Sequence, residues 1–420
     1  MTVVALDDTD SRTAGMCTTY AAHLVAEELR AAGCTVHRVL LVRLNPAVAY
    51  KTRGNAALAV HADVDPQVGF DTARRVVDAH AETDDDRTNP GVVVAHDADA
   101  PAPVAAFAHR ALRADIDPAD AAALAAAHGY RTAGWGTGRG VVGALAAVGA
   151  WTAFSDWTYE CIQYRPRDRW GTTRRVDADS VFAAADDAYP AAWDTVDHVE
   201  DDLVCVPHTP GPILYGIRGD DADAVQAVAA DIDSEPPHAR ELFVTNQGTD
   251  AHLADAPLAD ARDGRGYRVE GVVADHPETR EGGHVFVPIT DGEATLACVA
   301  FEPTKRFRDH VRNLRPGDRI TACGEVADGT LKLEKFAVRG LTRTTPTTPV
   351  CPDCGTTMES AGATQGYRCR DCSTTAPGTA HRLIERALDP GWYEVPPCAR
   401  RHIAQPLVRG DWDAAAHPER

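Results

Sequence analysis

A short apolar run that stops at a row of carboxylates constrains this chain more than any other stretch. Residues 2 to 6 (Thr-Val-Val-Ala-Leu) are β-prone and lack a regular polar face. That pattern predicts a strand buried on both sides. Asp7, Asp8 and Asp10 follow at once, then Gly15-Met16-Cys17-Thr18-Thr19-Tyr20 at the start of a helical pattern. Ligands of open α/β sheets gather at the carboxyl ends of strands. Several acids there suit Mg²⁺, which binds through one or two carboxylates plus substrate phosphates. A helix start bearing Thr18 and Thr19 offers hydroxyls and free N–H groups to an anion. Asp-rich loops also cap helices in acidic proteins, so the residues alone leave both readings open.

Acidity runs through the whole chain. Asp and Glu number 62 against 42 Lys and Arg, a formal net charge of −20. Lys occurs only at 51, 305, 332 and 335. Acid excess with so little Lys resembles adaptation to a salt-saturated cytoplasm, where net charge maintains solubility. At molar salt the Debye length is about 3 Å. An acidic protein there can still bind nucleic acid, through stacking, direct hydrogen bonds and shape. No apolar run approaches a membrane span and no basic start leads into a signal region, so a soluble, cytoplasmic protein is expected.

The pattern along the chain predicts several domains. Helix over 16–33, strands over 35–44 and 56–64, helix over 70–82, strand over 92–95 and helices over 102–113 and 118–128 make an α/β unit. Lys51 precedes every other Lys by more than two hundred residues. A compact ammonium suits phosphate contact. Residues 134–143, Gly-Trp-Gly-Thr-Gly-Arg-Gly-Val-Val-Gly, lead into a small-residue helix ending near Ala150. Glycines let a backbone approach phosphates, and they also let helices pack closely. The dinucleotide reading of Gly138-x-Gly140-x-x-Gly143 lacks its context, because 128–131 is not an apolar strand.

Beyond 151 the order becomes strand 158–165, helix 179–188, strands 203–207 and 213–218, helix 221–232 and strand 241–245. That is the ferredoxin-like β-α-β-β-α-β order. It ends in the polar cluster Thr245-Asn246-Gln247-Gly248-Thr249-Asp250. Residues 266–342 read as five strands with a short basic helix, 306–314, between the third and fourth, which matches an OB-fold. Lys305, Arg306, Arg308, Arg312, Arg315 and Arg319 form the densest basic run, with Phe301 and Phe307 beside it. A local basic run in an acidic chain points to an anionic partner.

After a Thr/Pro linker come Cys351-x-x-Cys354 and Cys369-x-x-Cys372, separated by fourteen residues. Two such knuckles predict a closed four-thiolate Zn²⁺ site of structural type. The remaining cysteines are scattered and expected to be reduced. Arg368 and Arg370 flank the second knuckle, and Trp392, Tyr393, Arg400, Arg401 and Trp412 give the tail a composition suited to RNA.

Asp7-Asp8-Thr9-Asp10, Gly15 to Tyr20, Arg43-Leu44-Asn45-Pro46, Tyr50 to Asn55, Gly138-Arg139-Gly140-x-x-Gly143-Ala144 and Thr245 to Asp250 occur in this order, before an OB-fold and a four-Cys ribbon. Over essentially its full length the chain resembles the archaeal isoleucine-tRNA 2-agmatinylcytidine synthetases, the TiaS family. The fold implied is α/β and α+β multidomain. It comprises an ATP-binding, kinase-like α/β domain over 1–150, a ferredoxin-like domain over 151–255, an OB-fold β-barrel over 256–345 and a zinc ribbon with C-terminal tail over 346–420.

The resemblance also implies an activity. The family activates the wobble cytidine of the CAU-anticodon isoleucine tRNA with ATP at its C2 oxygen, and agmatine displaces the phosphate. The product, agmatidine, reads AUA codons; AMP and phosphate are released. Carried onto this chain, Asp7, Asp8 and Asp10 are expected to hold Mg²⁺ and Thr18 to accept phosphate. Lys51 and Arg53 are expected to stabilise charge, and Gly138, Arg139, Gly140 and Gly143 to bind ATP. Agmatine, a dication, needs acids; Asp156, Glu160 and Asp250 are candidates. Lys305, Arg306, Arg308, Arg312, Arg368 and Arg370 are expected to contact tRNA. An RNA-binding protein without catalysis, or another ATP-dependent enzyme of nucleic acids, stays open on the residues alone.

Overall fold

The structure, a computed structural model, describes residues 1–51 and 54–420. The apolar start forms strand β1 (Thr2–Asp7), with Val3 to Leu6 wholly buried. Eight more strands join it: β2 (Val36–Arg43), β3 (Ala56–Ala62), β4 (Gly91–Ala95), β5 (Arg131–Gly134), β6 (Thr158–Tyr164), β7 (Ala192–Trp193), β8 (Ile213–Gly219) and β9 (Ala239–Thr245). Their order is β5-β4-β1-β3-β2-β9-β6-β8-β7, so the N-terminal and ferredoxin-like parts share one sheet. The seam is a parallel pairing of β2 with β9, Val39 opposite Phe243 and Leu41 opposite Thr245. All other pairings in this sheet are antiparallel.

Strand direction fixes what meets at the sheet's end. β1, β2, β8 and β9 finish there and β6 begins there, because β6 runs antiparallel to both β8 and β9. Asp7, Arg43, Arg218, Thr245 and Glu160 therefore share one end of a sheet assembled from segments more than two hundred residues apart.

Helices cover both faces. α1 (Thr18–Ala31) and α2 (Pro66–His80) pack on one. α2 starts on a typical cap: Asp65 accepts N–H bonds from Gln67 and Val68 with Pro66 at the first helical position. α3 (Ala102–Ala111), α4 (Pro118–Ala127) and α5 (Gly140–Ala153) cover the other face. The glycines of α5 are sites of close approach. A Cβ on Gly140 would stand 2.3 Å from the Gly91 nitrogen, and one on Gly143 would stand 1.9 Å from Asp7 Oδ2.

The segment before the Gly-rich loop is β5, a largely exposed strand at the sheet edge, so its polarity concealed it. The ferredoxin-like order is present as β6, α6 (Ala178–Ala188), β7, β8, α7 (Ala222–Asp231) and β9. Its second strand differs from expectation. Residues 203–207 are irregular, because Val206 N–H turns back to the Leu203 carbonyl and Pro207 has no N–H to offer a ladder. The two-residue β7 takes that place beside β8.

β10 (Leu253–Asp255) leads into the barrel. Its strands are β11 (Arg265–Val273), β13 (Val285–Thr290), β14 (Thr295–Ala300), β15 (Arg319–Ala327) and β16 (Thr330–Gly340), with β12 (Glu278–Thr279) an appendage on β13. Pairings β11–β13, β13–β14, β14–β16, β16–β15 and β15–β11 close the ring. The helix between the third and fourth barrel strands is α8 (Phe307–Arg312). This is an OB-fold. Phe307 is buried in its core.

The tail forms a strap across the molecule. Gly391–Glu394 adds a strand to β16 and buries Trp392 and Tyr393. Trp412 packs on Trp392. Arg400 pairs with Asp194 and Glu394, and Arg401 with Glu325 and Glu334. The aromatics and arginines of the tail tie the barrel to the ferredoxin-like part. No helix among the described residues is long and apolar enough to cross a membrane.

In the ribbon, the sulfurs of Cys351 and Cys372 lie 3.3 Å apart, those of Cys354 and Cys369 3.4 Å, and those of Cys354 and Cys372 3.7 Å. A tetrahedral zinc with Zn–S bonds of about 2.3 Å needs thiolates about 3.8 Å apart, so the four residues fit that ion. The module's own core is little more than Met358 beside two of these cysteines. Metal binding must therefore supply its folding energy. Cys369→Ser is expected to lose zinc by elemental analysis and to leave the ribbon open to protease, while the main sheet still melts cooperatively.

His61 on β3 is fully buried against Trp151, with no hydrogen-bond partner for either ring nitrogen among the described residues. Burial, with Arg38 nearby, pushes its pKa down to about 3. The unfolded chain binds the proton more readily, so this site's stability is present at neutral pH and is lost as pH falls below about 6.5. Between pH 8 and pH 5 the linkage amounts to about 2 kcal/mol. His61→Phe is expected to lack that increment of acid destabilisation in denaturant titrations.

Candidate active site

A cavity of about 360 Å³ opens at the sheet's end where the five strands meet. Asp7, Asp8, Asp10, Thr18, Lys51, Arg139, Gly140 and Gly143 line it, so the N-terminal acids, the helix start and the Gly-rich loop come together as expected. Gly138 forms the turn before α5 with φ +69° and does not line the cavity. Arg53 lies outside the described residues.

The acid end is built by backbone geometry. Asp7 closes β1 and accepts the Asp8 N–H at 2.7 Å. Asp8 has φ +61° and turns its carboxylate onto the Asn89 N–H at 2.9 Å. Asn89 in turn holds the Gly-rich loop, accepting from Gly140 N–H on its carbonyl and from Thr137 N–H on its side chain, each at 2.9 Å. Burial and then the neighbouring Asp8 charge push Asp7 well above the usual carboxylate range. Burial raises Asp8 to about 6, opposed by the Asn89 N–H and by Arg139. Oxygen ligands crowded against their own repulsion are the donor set that a hard divalent cation relieves.

Thr18 starts α1 directly beside these acids. Its hydroxyl accepts from the Thr9 hydroxyl at 3.2 Å and, at a long 3.4 Å, from the Thr9 N–H. Cys17, the residue before the helix, provides no side-chain cap, so α1 presents its start to the cavity. Arg139 stacks over Tyr50 at 3.5 Å, and the Tyr50 hydroxyl donates to Asp115 at 2.7 Å. Tyr50 and Asp115 line the cavity as well.

The other end is framed by arginine. Glu160 accepts from Arg218 Nε at 3.3 Å, and its second oxygen lies 3.8 Å from Arg43 Nη2. Arg43 is held by the polar cluster after β9. Its N–H donates to Asn246 Oδ1 and its Nε to Gln247 Oε1, both at 2.7 Å. That cluster is thus a buried brace for β2. Burial lowers Arg43 to about 10, Glu160 opposing and Arg218 reinforcing. His402 reaches this end from the C-terminal strap, where burial, then Arg43 and Arg218, hold its pKa well below the usual histidine range.

Other expected residues stand elsewhere. Asp156 pairs with Arg409 at 3.0 Å, outside the cavity. Asp250 receives the buried Lys335 ammonium at 2.7 Å and Arg268 at 2.8 Å. Of the three acids expected to bind agmatine, Glu160 alone lines the cavity. Lys305 pairs with Glu200, Arg306 with Asp197 and Glu419, Arg308 with Glu302 and Arg312 with Asp309. Lys305 and Arg306 thus tie the barrel to its neighbours, while Arg308 and Arg312 pair within their own segment. Arg368 and Arg370 are exposed on the ribbon, Arg370 at 3.3 Å from Glu359. Sequence reasoning assigned no site role to Arg43, Arg218, Asp115, Tyr50 or His402. Arg43 and Tyr50 lay within motifs already singled out; Arg218, Asp115 and His402 carried no local signal.

Comparisons with known proteins agree with this architecture. Residues 3–66 match the TiaS TCKD domain, 138–252 the TiaS FLD domain, 267–330 the OB-fold nucleic acid binding domain and 348–388 the TiaS C-terminal zinc ribbon domain. The isoleucine-tRNA 2-agmatinylcytidine synthetase TiaS of Haloquadratum walsbyi is 53% identical, with all of both chains covered. That of Methanosarcina mazei is 45% identical over 97% of each chain. Among solved structures, a complex of TiaS with its isoleucine tRNA and ATP is 38% identical with a TM-score of 0.88, covering 100% of this chain and 99% of that one. A complex of TiaS with the same tRNA, AMPCPP and agmatine is 37% identical with a TM-score of 0.87 and the same coverage. This chain belongs to the TiaS family of isoleucine-tRNA 2-agmatinylcytidine synthetases.

Proposed function

We propose that this protein joins agmatine to C2 of the wobble cytidine in the CAU-anticodon isoleucine tRNA, using ATP, and works in the cytoplasm. The observation that carries the reading is the convergence of Asp7, Asp8, Asp10, Thr18, Lys51 and Arg139 on one cavity. The family the chain belongs to supports it.

The chemistry follows from the substrate. The C2 oxygen of cytosine is a poor leaving group, and phosphorylation converts it to a good one. The amine nitrogen of agmatine then bonds to C2, the C2–O bond breaks and the oxygen departs as phosphate. Phosphoryl transfer is mostly positioning and electrostatic stabilisation. Asp7, Asp8 and Asp10 would hold Mg²⁺, which neutralises phosphate charge when bound. Lys51 and Arg139, both on the cavity wall, would meet phosphate oxygens, while Gly140 lets α5 start close against Gly91 and Gly143 leaves room for Asp7. Thr18, at the start of α1 on the cavity wall, would accept a phosphate, and ATP would end as AMP and two phosphates. The target base must leave its stack to enter the cavity. The barrel and the ribbon, with Arg368 and Arg370 exposed on it, would hold the tRNA for that step. Asp115, beside the phosphate end, is a carboxylate that the dication could meet.

The direct test is ATP turnover by the full chain with tRNA and agmatine together and each alone. Turnover that needs both is expected; a protein that binds RNA without turnover would contradict the reading. Asp8→Asn keeps a residue tolerant of positive φ and close to the same shape. It is expected to lower modification at least about 100-fold, with melting temperature and tRNA affinity near wild type.

For Thr18, incubation with ATP labelled at the β or γ phosphate is expected to label the N-terminal peptide of the wild type. Thr18→Ser should retain part of that label and Thr18→Ala none. Loss of the hydroxyl's contacts with Thr9 costs only about 1 kcal/mol of stability, so the loss of label would be chemical.

A further inference from the structure

The arginine-framed end of the cavity has an unfilled requirement. Glu160 is 4% exposed, yet its Oε2 has no hydrogen-bond donor among the described residues. Arg43 Nη2, at 3.8 Å, is beyond hydrogen-bond range, while Oε1 is already engaged by Arg218. A buried carboxylate oxygen without a donor is costly, so this one calls for a donor from within the cavity. Small residues keep the room open. A Cβ on Gly216 would stand 2.9 Å from Glu160 Oε1, and one on Gly54 would stand 2.7 Å from Arg43 Nη1. Leu41, Leu58, Ile162, Pro207 and Ile213 supply apolar walls, as expected where a flat ring is held.

Charge decides which donor fits. Two guanidiniums face one carboxylate. A further cation, such as either end of agmatine, would meet net positive charge. A neutral N–H₂ group meets only the acceptor it needs. The exocyclic amine of cytosine is such a donor, and a carboxylate is its usual protein partner. Uracil presents a carbonyl oxygen at the same edge and would set acceptor against acceptor. β1 and β6 are four strand spacings apart, about 19 Å in the backbone. The phosphate end and the Glu160 end therefore leave space for ATP and a base side by side.

We propose that Glu160, framed by Arg43 and Arg218, receives the exocyclic amine of the target cytosine and makes the enzyme select cytidine over uridine. The proposal rests on the reading of the protein as a wobble-cytidine modifier and reassigns Glu160 from agmatine to the base.

The test measures binding of full-length enzyme to tRNA carrying cytidine, uridine or pyrimidin-2-one riboside at the wobble position. The last lacks the exocyclic amine. Wild type is expected to bind the cytidine form about 10- to 100-fold more tightly than either other form. In Glu160→Gln that preference should fall to within about threefold, with uridine binding gained because the amide can donate to O4. The KM for agmatine should stay within about threefold of wild type, since Glu160 does not meet the diamine. Using altered bases on the wild type keeps the test valid even if a variant folds poorly. Equal wild-type binding of all three tRNAs would overturn the proposal. So would a Glu160→Gln enzyme that keeps its preference for cytidine, or one whose agmatine KM rises tenfold while that preference persists. Binding is read without turnover, so the reaction can fail independently: a wild type that selects cytidine but adds no agmatine would refute the proposed function and leave this recognition standing.

Discussion

The parallel pairing of β2 with β9 is the interaction on which the active site depends. It covers only Val39 to Leu41 against Phe243 to Thr245, yet it fuses two α/β units into one sheet. Without it Asp7 and Thr18 would belong to one body and Glu160 and Arg218 to another. The buried amides of Asn246 and Gln247 reinforce the seam by holding Arg43 at the end of β2. A residue placed this way inherits the rigidity of two strands, which is what a group acting on a specific atom needs.

Electrostatics divide the cavity. At one end the charges of Asp7, Asp8 and Asp10 repel one another, a state that favours a cation. At the other, arginines outnumber the single carboxylate and favour a neutral polar ligand. The glycines of α5 serve the first arrangement by packing rather than by cradling alone, since Gly143 leaves no space for a side chain against Asp7. The acidic surface of the chain plays little part in this. Several of its arginines are engaged in internal pairs: Arg165 with Glu235, Arg386 with Asp318, and Arg400 with Asp194 and Glu394. Such pairs hold the parts in register in high salt because burial shields them from screening.

What the sequence disclosed was local. The run Val3 to Leu6, the strand–helix order of the ferredoxin-like part and the barrel, and the paired Cys knuckles each carry their signal within a few turns of chain. The resemblance supplied the chemistry on the same kind of evidence. What escaped was set by distant partners. β5 is polar because it lies at an edge, and β7 is too short for any pattern. Asp156 and Asp250 looked available until the strap and the barrel brought Arg409 and Lys335 to them. His402 and Arg218 have no local mark, and reach the cavity only because the C-terminal strap and β8 end where β1 does. The basic run at 305–312 was legible as a run, but its carboxylate partners come from residues 197–200, 302, 309 and 419.

ATP-driven replacement of the wobble cytidine's C2 oxygen by an amine, performed in this one cavity, is tested most directly by mass analysis of the anticodon loop. The enzyme is incubated with CAU-anticodon isoleucine tRNA, ATP, Mg²⁺ and agmatine, and the loop is then analysed. A wobble nucleotide heavier by agmatine less one water, formed only when ATP is present, is the expected result. An unaltered loop, or agmatine attached at another nucleotide, would contradict it.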